Sequence, residues 1–151
     1  MKNLKINILK NNYAGYIPSD YKIKKWAQIS FLNNKKSFVN IKLAKESELM
    51  NLNKKYFNKK KACNVLSFPL KSEVSKGEYL LGDIVICPQI INNESKHYKI
   101  KKDKRWAHLV VHSMLHLQGY THDSKKSREV MEKKEIEILY KLGYTNPYDA
   151  I

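Results

Sequence analysis

The sequence predicts an α+β fold, a single domain in which a small mixed β-sheet of about four strands packs with helices. Apolar residues make up 42% of the 151 residues, which is enough for one buried core. Short segments of alternating apolar and polar residues indicate strands, and longer segments with apolar residues three and four positions apart indicate helices. The two kinds of segment follow one another in mixed order, with a hairpin-like middle, which indicates an α+β domain. We expect this domain to span residues 1–151.

The first half of the chain supplies two strands and two helices. Residues 4–8 and 37–43 alternate apolar and polar side chains, as half-buried strands do. Ser19 or Asp20 is placed to cap a helix that runs to about Leu32. Residues 46–57 form the second predicted helix, with an inner face of Leu49, Leu52 and Tyr56.

The middle of the chain predicts a pair of strands with a loop between them. Residues 64–68 form a strand that Pro69 should stop, because proline lacks the N–H that a sheet requires. The polar, glycine-containing stretch 72–78 predicts a loop. Residues 80–87 are rich in β-branched side chains and should form a buried strand, followed by a helix over about 89–98 that Pro88 starts.

The last third of the chain predicts two longer helices. Asp103 is expected to cap a helix over 104–118, which Gly119 ends, and this helix carries most of the histidines. A final helix covers 124–142, and its predicted inward side chains are Val130, Met131, Ile136, Leu139 and Tyr140. Trp26 and Trp106 are interpreted as core aromatics.

The net charge of +15 is compatible with a nucleic-acid partner but does not establish one. Of the 29 basic residues only Arg105 and Arg128 are arginines, and an A/T-rich coding sequence would also give such a lysine excess. No segment has the roughly 18 uninterrupted apolar residues of a membrane helix, and the N-terminus does not resemble a signal peptide. Cys63 and Cys87 do not indicate a disulfide framework. We therefore expect a cytoplasmic protein that has no membrane partner.

Three histidines are spaced to hold one metal ion, most simply zinc. His112 and His116 lie four residues apart on the predicted helix, so their β-carbons are about 5–6 Å apart and both rings can reach one ion. Gly119 permits a left-handed turn after the helix, which lets His122 return as a third ligand. His108 is excluded from this set because it lies roughly 12 Å along the helix from His116. Three protein ligands leave a fourth position for water, as in catalytic zinc sites.

The same spacing has other interpretations. A single pair of histidines four residues apart is more often chance than a metal site, and the glycine turn with the third histidine is what favours metal. In the HExxH helix of metalloproteases a glutamate follows the first histidine, but here Ser113 stands in that place. A hydroxyl cannot take a proton from water as a carboxylate can, which disfavours peptide hydrolysis. A phosphodiester is a less demanding substrate for a metal site.

The residues around the histidines resemble a known family. The segment 112–122, read as HSMLHLQGYTH, is similar to the HGxLHLxGYDH signature of the YbeY family of bacterial metal-dependent endoribonucleases. The resemblance extends to Leu52-Asn53 with Tyr56, to segments 64–69 and 81–87, and to Leu142-Gly143-Tyr144 with Pro147-Tyr148. It covers about the last two thirds of the chain.

The resemblance implies a function and a set of site residues. His112, His116 and His122 would bind one Zn²⁺, and the enzyme would cut single-stranded RNA in 16S rRNA 3′-end maturation and in ribosome quality control. The partners implied are rRNA and the small ribosomal subunit. His116 and Lys59 are the residues that we expect to carry catalysis, with Lys59 at a basic position of the family. The alternatives are a non-catalytic, zinc-braced ribosome-assembly factor and, less favoured, a metallopeptidase.

Two positions depart from the family pattern. Phe57 stands where the family usually has an arginine that is thought to assist catalysis, so Lys59 or a neighbouring lysine would have to substitute. Thr121 replaces the usual aspartate before the last histidine, and Asp123 is the residue that could compensate. The oligomeric state does not follow from the sequence.

Overall fold

The structure is a computed structural model that describes residues 3–149. Its strands and helices follow the predicted order closely. They are β1 (Leu4–Leu9), α1 (Asp20–Ser30), β2 (Ser37–Leu43), α2 (Glu46–Phe57), β3 (Val65–Ser75), β4 (Glu78–Ile86), α3 (Pro88–His97), α4 (Lys102–Leu117) and α5 (Lys125–Lys141).

The four strands form one mixed sheet in the order β1-β2-β4-β3. The β1–β2 and β2–β4 pairs are parallel, and β3 pairs antiparallel with β4. Successive residues of β4 face opposite sides of the sheet. Ile84 and Ile86 therefore belong to the main core, while Val85 packs with Leu49 in a smaller cluster beneath α2. The predicted α+β fold with a mixed four-stranded sheet is confirmed.

The predicted end of the third strand at Pro69 is wrong. β3 continues to Ser75, and only a short turn separates it from β4, so the expected loop over 72–78 is largely strand. Proline is tolerated because β3 lies at the edge of the sheet, where it has β4 as its single partner. The register shifts between Pro69 and Ser72, and Lys71 takes a left-handed conformation there with φ 46°.

Several predicted helix details are also corrected. Asp103 does not cap α4, because Lys101 occupies the cap position, and Asp103 instead receives hydrogen bonds from Tyr16 and from Lys22 Nζ, the latter at 2.6 Å. The cap of α1 is Ser19, whose hydroxyl accepts from the Lys22 amide.

The inner faces of α2 and α5 differ from the sequence-based expectation. Tyr56, Val130 and Tyr140 are exposed, although the apolar pattern assigned them to inner faces. In α5 the buried side chains include Met131 and the carboxylate of Glu135. The helix is rotated relative to the prediction because Glu135 has buried partners on α4.

Helix α4 lies at the centre of the molecule. It contacts α1, α3, α5 and strands β3 and β4, and eleven of its sixteen residues are buried. Trp106 is fully buried and donates its indole N–H to Asn92 Oδ1 at 2.9 Å, and Trp26 is also buried, which confirms both as core aromatics. Because its first three turns are fixed by the core, α4 holds the histidines of its last turns in a defined position.

Candidate metal centre

Three histidines converge at the C-terminal end of α4. The Nε2 atoms of His112 and His116 lie 3.0 Å apart. After the helix the chain turns at Gly119, which has φ +100°, and brings the His122 ring to 4.7 Å from the His116 ring and 5.6 Å from the His112 ring, centroid to centroid. One nitrogen from each ring lies within 4.8 Å of the others. The three predicted ligands are therefore together in space, as the spacing argument requires.

The hydrogen bonds of the two helical histidines leave their Nε2 lone pairs facing each other. His116 Nδ1 lies 2.9 Å from the Tyr120 carbonyl oxygen, which only accepts, so Nδ1 carries the hydrogen. His112 Nδ1 likewise donates to Glu135 Oε2, at 3.3 Å. In the neutral rings both Nε2 atoms are then acceptors, and two acceptors 3.0 Å apart repel unless a cation lies between them. This donor set fits a metal ion.

A second group lies behind the first. His108 Nε2 is 2.7 Å from Glu135 Oε2, and the Tyr148 hydroxyl donates to the same carboxylate at 2.9 Å from Oε1. His108, His112 and Glu135 also satisfy the distances of a possible metal group. His112 belongs to both groups. Its Nε2 faces His116 in the first group, and its Nδ1 faces Glu135 in the second. His108 and His116 do not share a group, which agrees with the distance argument from the sequence.

Burial and hydrogen bonding set the protonation states of these side chains. Burial would raise the pKa of Glu135, but hydrogen bonds from His108 and His112 outweigh it and lower the pKa to about 2. Burial lowers the pKa of His108 despite the nearby carboxylate. Burial and the neighbouring His112 lower the pKa of His116 to about 4. At neutral pH the site therefore has an ionised carboxylate and a neutral His116, which is the form that binds metal.

The segment that carries His122 is fixed by the start of α5. Ser124 caps the helix and forms a reciprocal pair of hydrogen bonds with Ser127. Asp123 accepts from Thr121 Oγ1 at 3.0 Å and from Ser127 Oγ at 3.2 Å, and these two hydrogen bonds lower its pKa. Asp123 thus braces the turn around His122, although no hydrogen bond joins the two side chains within residues 3–149.

A cavity of about 260 Å³ opens beside the histidines. Its walls come from α4, the His122 segment, α5 and the C-terminal segment, with the lining residues His112, His122, Arg128, Met131, Glu132, Glu135 and Tyr148. The cavity is small, and it gives a ligand access to two of the three histidines.

Ser113 has no access to this cavity. The residue is fully buried, and its hydroxyl lacks a hydrogen-bond partner among the described residues. It cannot act on a substrate as the glutamate of a metalloprotease does.

The structure does not bring Lys59 to the histidines by any described contact. Lys59 is exposed in the connection between α2 and β3, and its charge lies near the Cys63 thiol. Phe57 packs its ring on Phe68, with centroids 5.8 Å apart. A different lysine, Lys71, lies beside the turn between α4 and His122. Its ammonium is 3.2 Å from the position that a β-carbon would take at Gly119. The role of Lys59 stays a prediction.

Glu135 and Tyr148 were missed by the sequence analysis. Glu135 lies four residues after Met131, on the apolar stripe of α5, and an acidic residue in such a stripe is the signal that could have found it. Tyr148 lies beyond the last helix, and no periodicity links it to His108.

Comparison with known proteins identifies the family. A model of the family described as "Endoribonuclease YbeY" matches residues 10–143. The chain belongs to the YbeY family. This confirms the family predicted from the histidine motif, and with it the prediction that the chain is an enzyme, an endoribonuclease.

The relatives and the fold agree with this assignment. The YbeY endoribonuclease of Buchnera aphidicola subsp. Schizaphis graminum is 38% identical over 148 residues, which is 97% of this chain and 94% of the relative. The YbeY endoribonuclease of Alteromonas mediterranea is 40% identical over 136 residues, 89% of this chain and 86% of the relative. A solution structure of a protein from Thermotoga maritima, TM1509, matches with a TM-score of 0.51 at 24% identity, covering 95% of this chain and 98% of that one, and supports the fold.

Proposed function

We propose that this YbeY protein is a zinc-dependent endoribonuclease that cuts single-stranded RNA and acts in 16S rRNA 3′-end maturation and ribosome quality control. The observation that carries the proposal is the pair of opposed Nε2 atoms of His112 and His116, 3.0 Å apart, with His122 completing the set. Three imidazoles suit zinc among the divalent metals, and three protein ligands leave one position open.

The second group is better explained as support for the first than as a metal site of its own. His108 and Glu135 are buried, and their 2.7 Å separation is that of a hydrogen bond. Glu135 orients His112 by accepting from Nδ1, which directs Nε2 toward His116 and His122. We therefore assign His112, His116 and His122 as the ligands.

The remaining features of the chain favour RNA over peptide as the substrate. Zinc, when bound, supplies Lewis acidity to a phosphodiester and its attacking water. The net charge of +15 attracts a polyanion. Ser113 is buried in the place of the metalloprotease base, which disfavours the metallopeptidase alternative. Lys59 is proposed to hold a phosphate of the bound RNA from the connection between α2 and β3.

A cytoplasmic location and a small-subunit partner are part of the same proposal. Among the described residues, every helix is too short or too polar to cross a bilayer. Ribosomal RNA would meet the enzyme in the cytoplasm.

The test compares two histidine variants on one RNA. His116→Ala should lose zinc and all cleavage of a single-stranded RNA, because it removes one of three ligands, while circular dichroism shows a folded protein. His97→Ala is the matched control, since His97 is exposed at the end of α3. Wild-type cleavage should stop with a chelator and return with zinc, and a duplex of the same sequence should stay intact. Cleavage by His116→Ala at the wild-type rate would refute the proposal.

One observation keeps a second function under consideration. Phe57 packs on Phe68 and offers no charge where the family usually has arginine. If the zinc-loaded protein binds the small subunit but cuts no RNA, the chain is a zinc-braced assembly factor instead.

A further inference from the structure

The two arginines of the chain have opposite environments. Arg105 is buried, and its guanidinium contacts Glu94 Oε1 at 3.1 Å, so it is a structural residue. Arg128 is exposed in the first turn of α5. Within residues 3–149, the Arg128 guanidinium forms no hydrogen bond and no ion pair. Its charge is therefore available to a ligand.

Arg128 lines the cavity at the metal centre together with His112 and His122. Its backbone N–H donates to the Ser124 carbonyl oxygen at 3.0 Å, directly after the cap that fixes the start of α5. The position of Arg128 relative to His122 is thus set by a short, hydrogen-bonded segment, and its side chain extends from the wall of the cavity.

The acidic residues of the same cavity form no ion pair with Arg128 within residues 3–149. Glu135 is engaged by His108, His112 and Tyr148. Glu132 lies one turn after Arg128, but no ion pair joins the two in the described structure. A free guanidinium beside a metal centre is suited to an anion that also reaches the metal, and arginine can bind two phosphate oxygens at once.

We propose that Arg128 binds a phosphate group of the RNA substrate beside the metal ligands. This inference rests on the proposed function, because it requires RNA to enter this cavity. Arg128 is a substrate-binding residue, and it is not a metal ligand.

The test uses the zinc-loaded protein with Arg128→Gln, Arg128→Lys and the control Lys133→Gln. Lys133 is exposed on the same helix and lies about 140° around it from Arg128, so it loses the same charge away from the cavity. Binding is measured by fluorescence anisotropy with a short single-stranded RNA made resistant to cleavage by 2′-O-methyl riboses and phosphorothioate linkages. Cleavage of the unmodified RNA gives kcat and KM, and metal analysis gives the zinc content.

We expect Arg128→Gln to weaken RNA binding roughly 10- to 100-fold, as the loss of a charge-assisted contact does. The slope of log Kd against log salt concentration should fall by roughly 0.7, the value for one phosphate contact on a single strand. Arg128→Lys should keep the wild-type slope but recover only part of the affinity, because lysine keeps the charge and not the paired donors. All three variants should hold zinc as the wild type does.

Different results would overturn the inference. If Arg128→Gln and Lys133→Gln have the same affinity and the same salt slope, Arg128 does not contact phosphate. If Arg128→Gln loses zinc, its role is to support the metal centre. With either of these results, RNA cleavage by the wild type would leave the proposed function intact. A wild-type protein that neither binds nor cuts RNA would overturn the proposed function and the Arg128 inference together.

Discussion

At the scale of single residues, Glu135 connects three side chains from separate parts of the chain. Its carboxylate accepts from His108, from His112 and from Tyr148. A buried carboxylate is stable only with such partners, and these partners lower its pKa to about 2. The same contacts fix the ring of His112 with Nε2 directed at the other two histidines.

Glu135→Gln should weaken zinc binding by about 10- to 100-fold, because supporting partners of metal-bound histidines have effects of this size. Glutamine removes the charge and places an N–H₂ group among donors. Zinc affinity can be measured by competition with a chromogenic chelator, and the Nδ1 hydrogen of His112 can be followed by nitrogen NMR.

The matched control is Glu137→Gln, two residues later on the same helix. Glu137 is exposed and pairs only with Lys134 and Lys141 among the described residues. It should bind zinc like the wild type. If both variants did so, Glu135 would have no part in orienting His112.

At the scale of elements, the β3–β4 hairpin determines how close α4 lies to the sheet. Gly82 of β4 has φ +152°, and a β-carbon there would lie 2.3 Å from the Phe68 carbonyl oxygen and 2.9 Å from the Leu117 side chain. The missing side chain thus allows the end of α4 to pack directly on the hairpin. This close approach positions the last helical turn, which carries His116.

Gly82→Ala should lower the free energy of unfolding by about 2–4 kcal/mol, since the new methyl group meets backbone and the conformation disfavours alanine. Gly77→Ala, at the hairpin turn, has φ +77° but nothing within 4 Å of the added carbon. It should cost only about 1 kcal/mol. Urea unfolding of both variants measures the difference, and equal losses would contradict the packing argument.

At the scale of the whole molecule, the metal centre couples folding to pH. Burial and the neighbouring His112 hold the pKa of His116 at about 4, below the 6.5 of an ordinary imidazole. Between these values the unfolded chain binds a proton that the folded chain does not bind. The corresponding stability is present above about pH 6.5 and is lost as the pH falls toward 4.

The melting temperature of the metal-free protein should therefore fall between pH 7 and pH 5, measured with a chelator present. Glu135 contributes little in this range, because its pKa is about 2 in the folded chain and an ordinary glutamate, with a pKa of 4.5, is still mostly ionised at pH 5. Burial also lowers the pKa of His108, which contributes in the same direction as His116. His116→Gln removes the titrating group, so its melting temperature should change less over the same range. A variant with the full wild-type pH dependence would show that other groups cause it.

The sequence could predict the sheet and helices because local patterns determine them. The alternation in β1 and β2 and the cap at Ser19 lie within a few residues of the structure that they define. The continuation of β3 beyond Pro69 could not be predicted from the sequence. Proline is tolerated only at a sheet edge, and the edge position of β3 depends on how the other strands are arranged.

By itself the sequence determined the three candidate ligands, because two histidines one helical turn apart and a glycine turn place their rings together by local geometry. Only the tertiary structure decided what surrounds them. Glu135 and Tyr148 reach His108 from α5 and from the C-terminal segment, and Arg128 enters the same cavity from the start of α5. These contacts join residues that are distant in the chain, and packing between elements, which no sequence period encodes, brings them together.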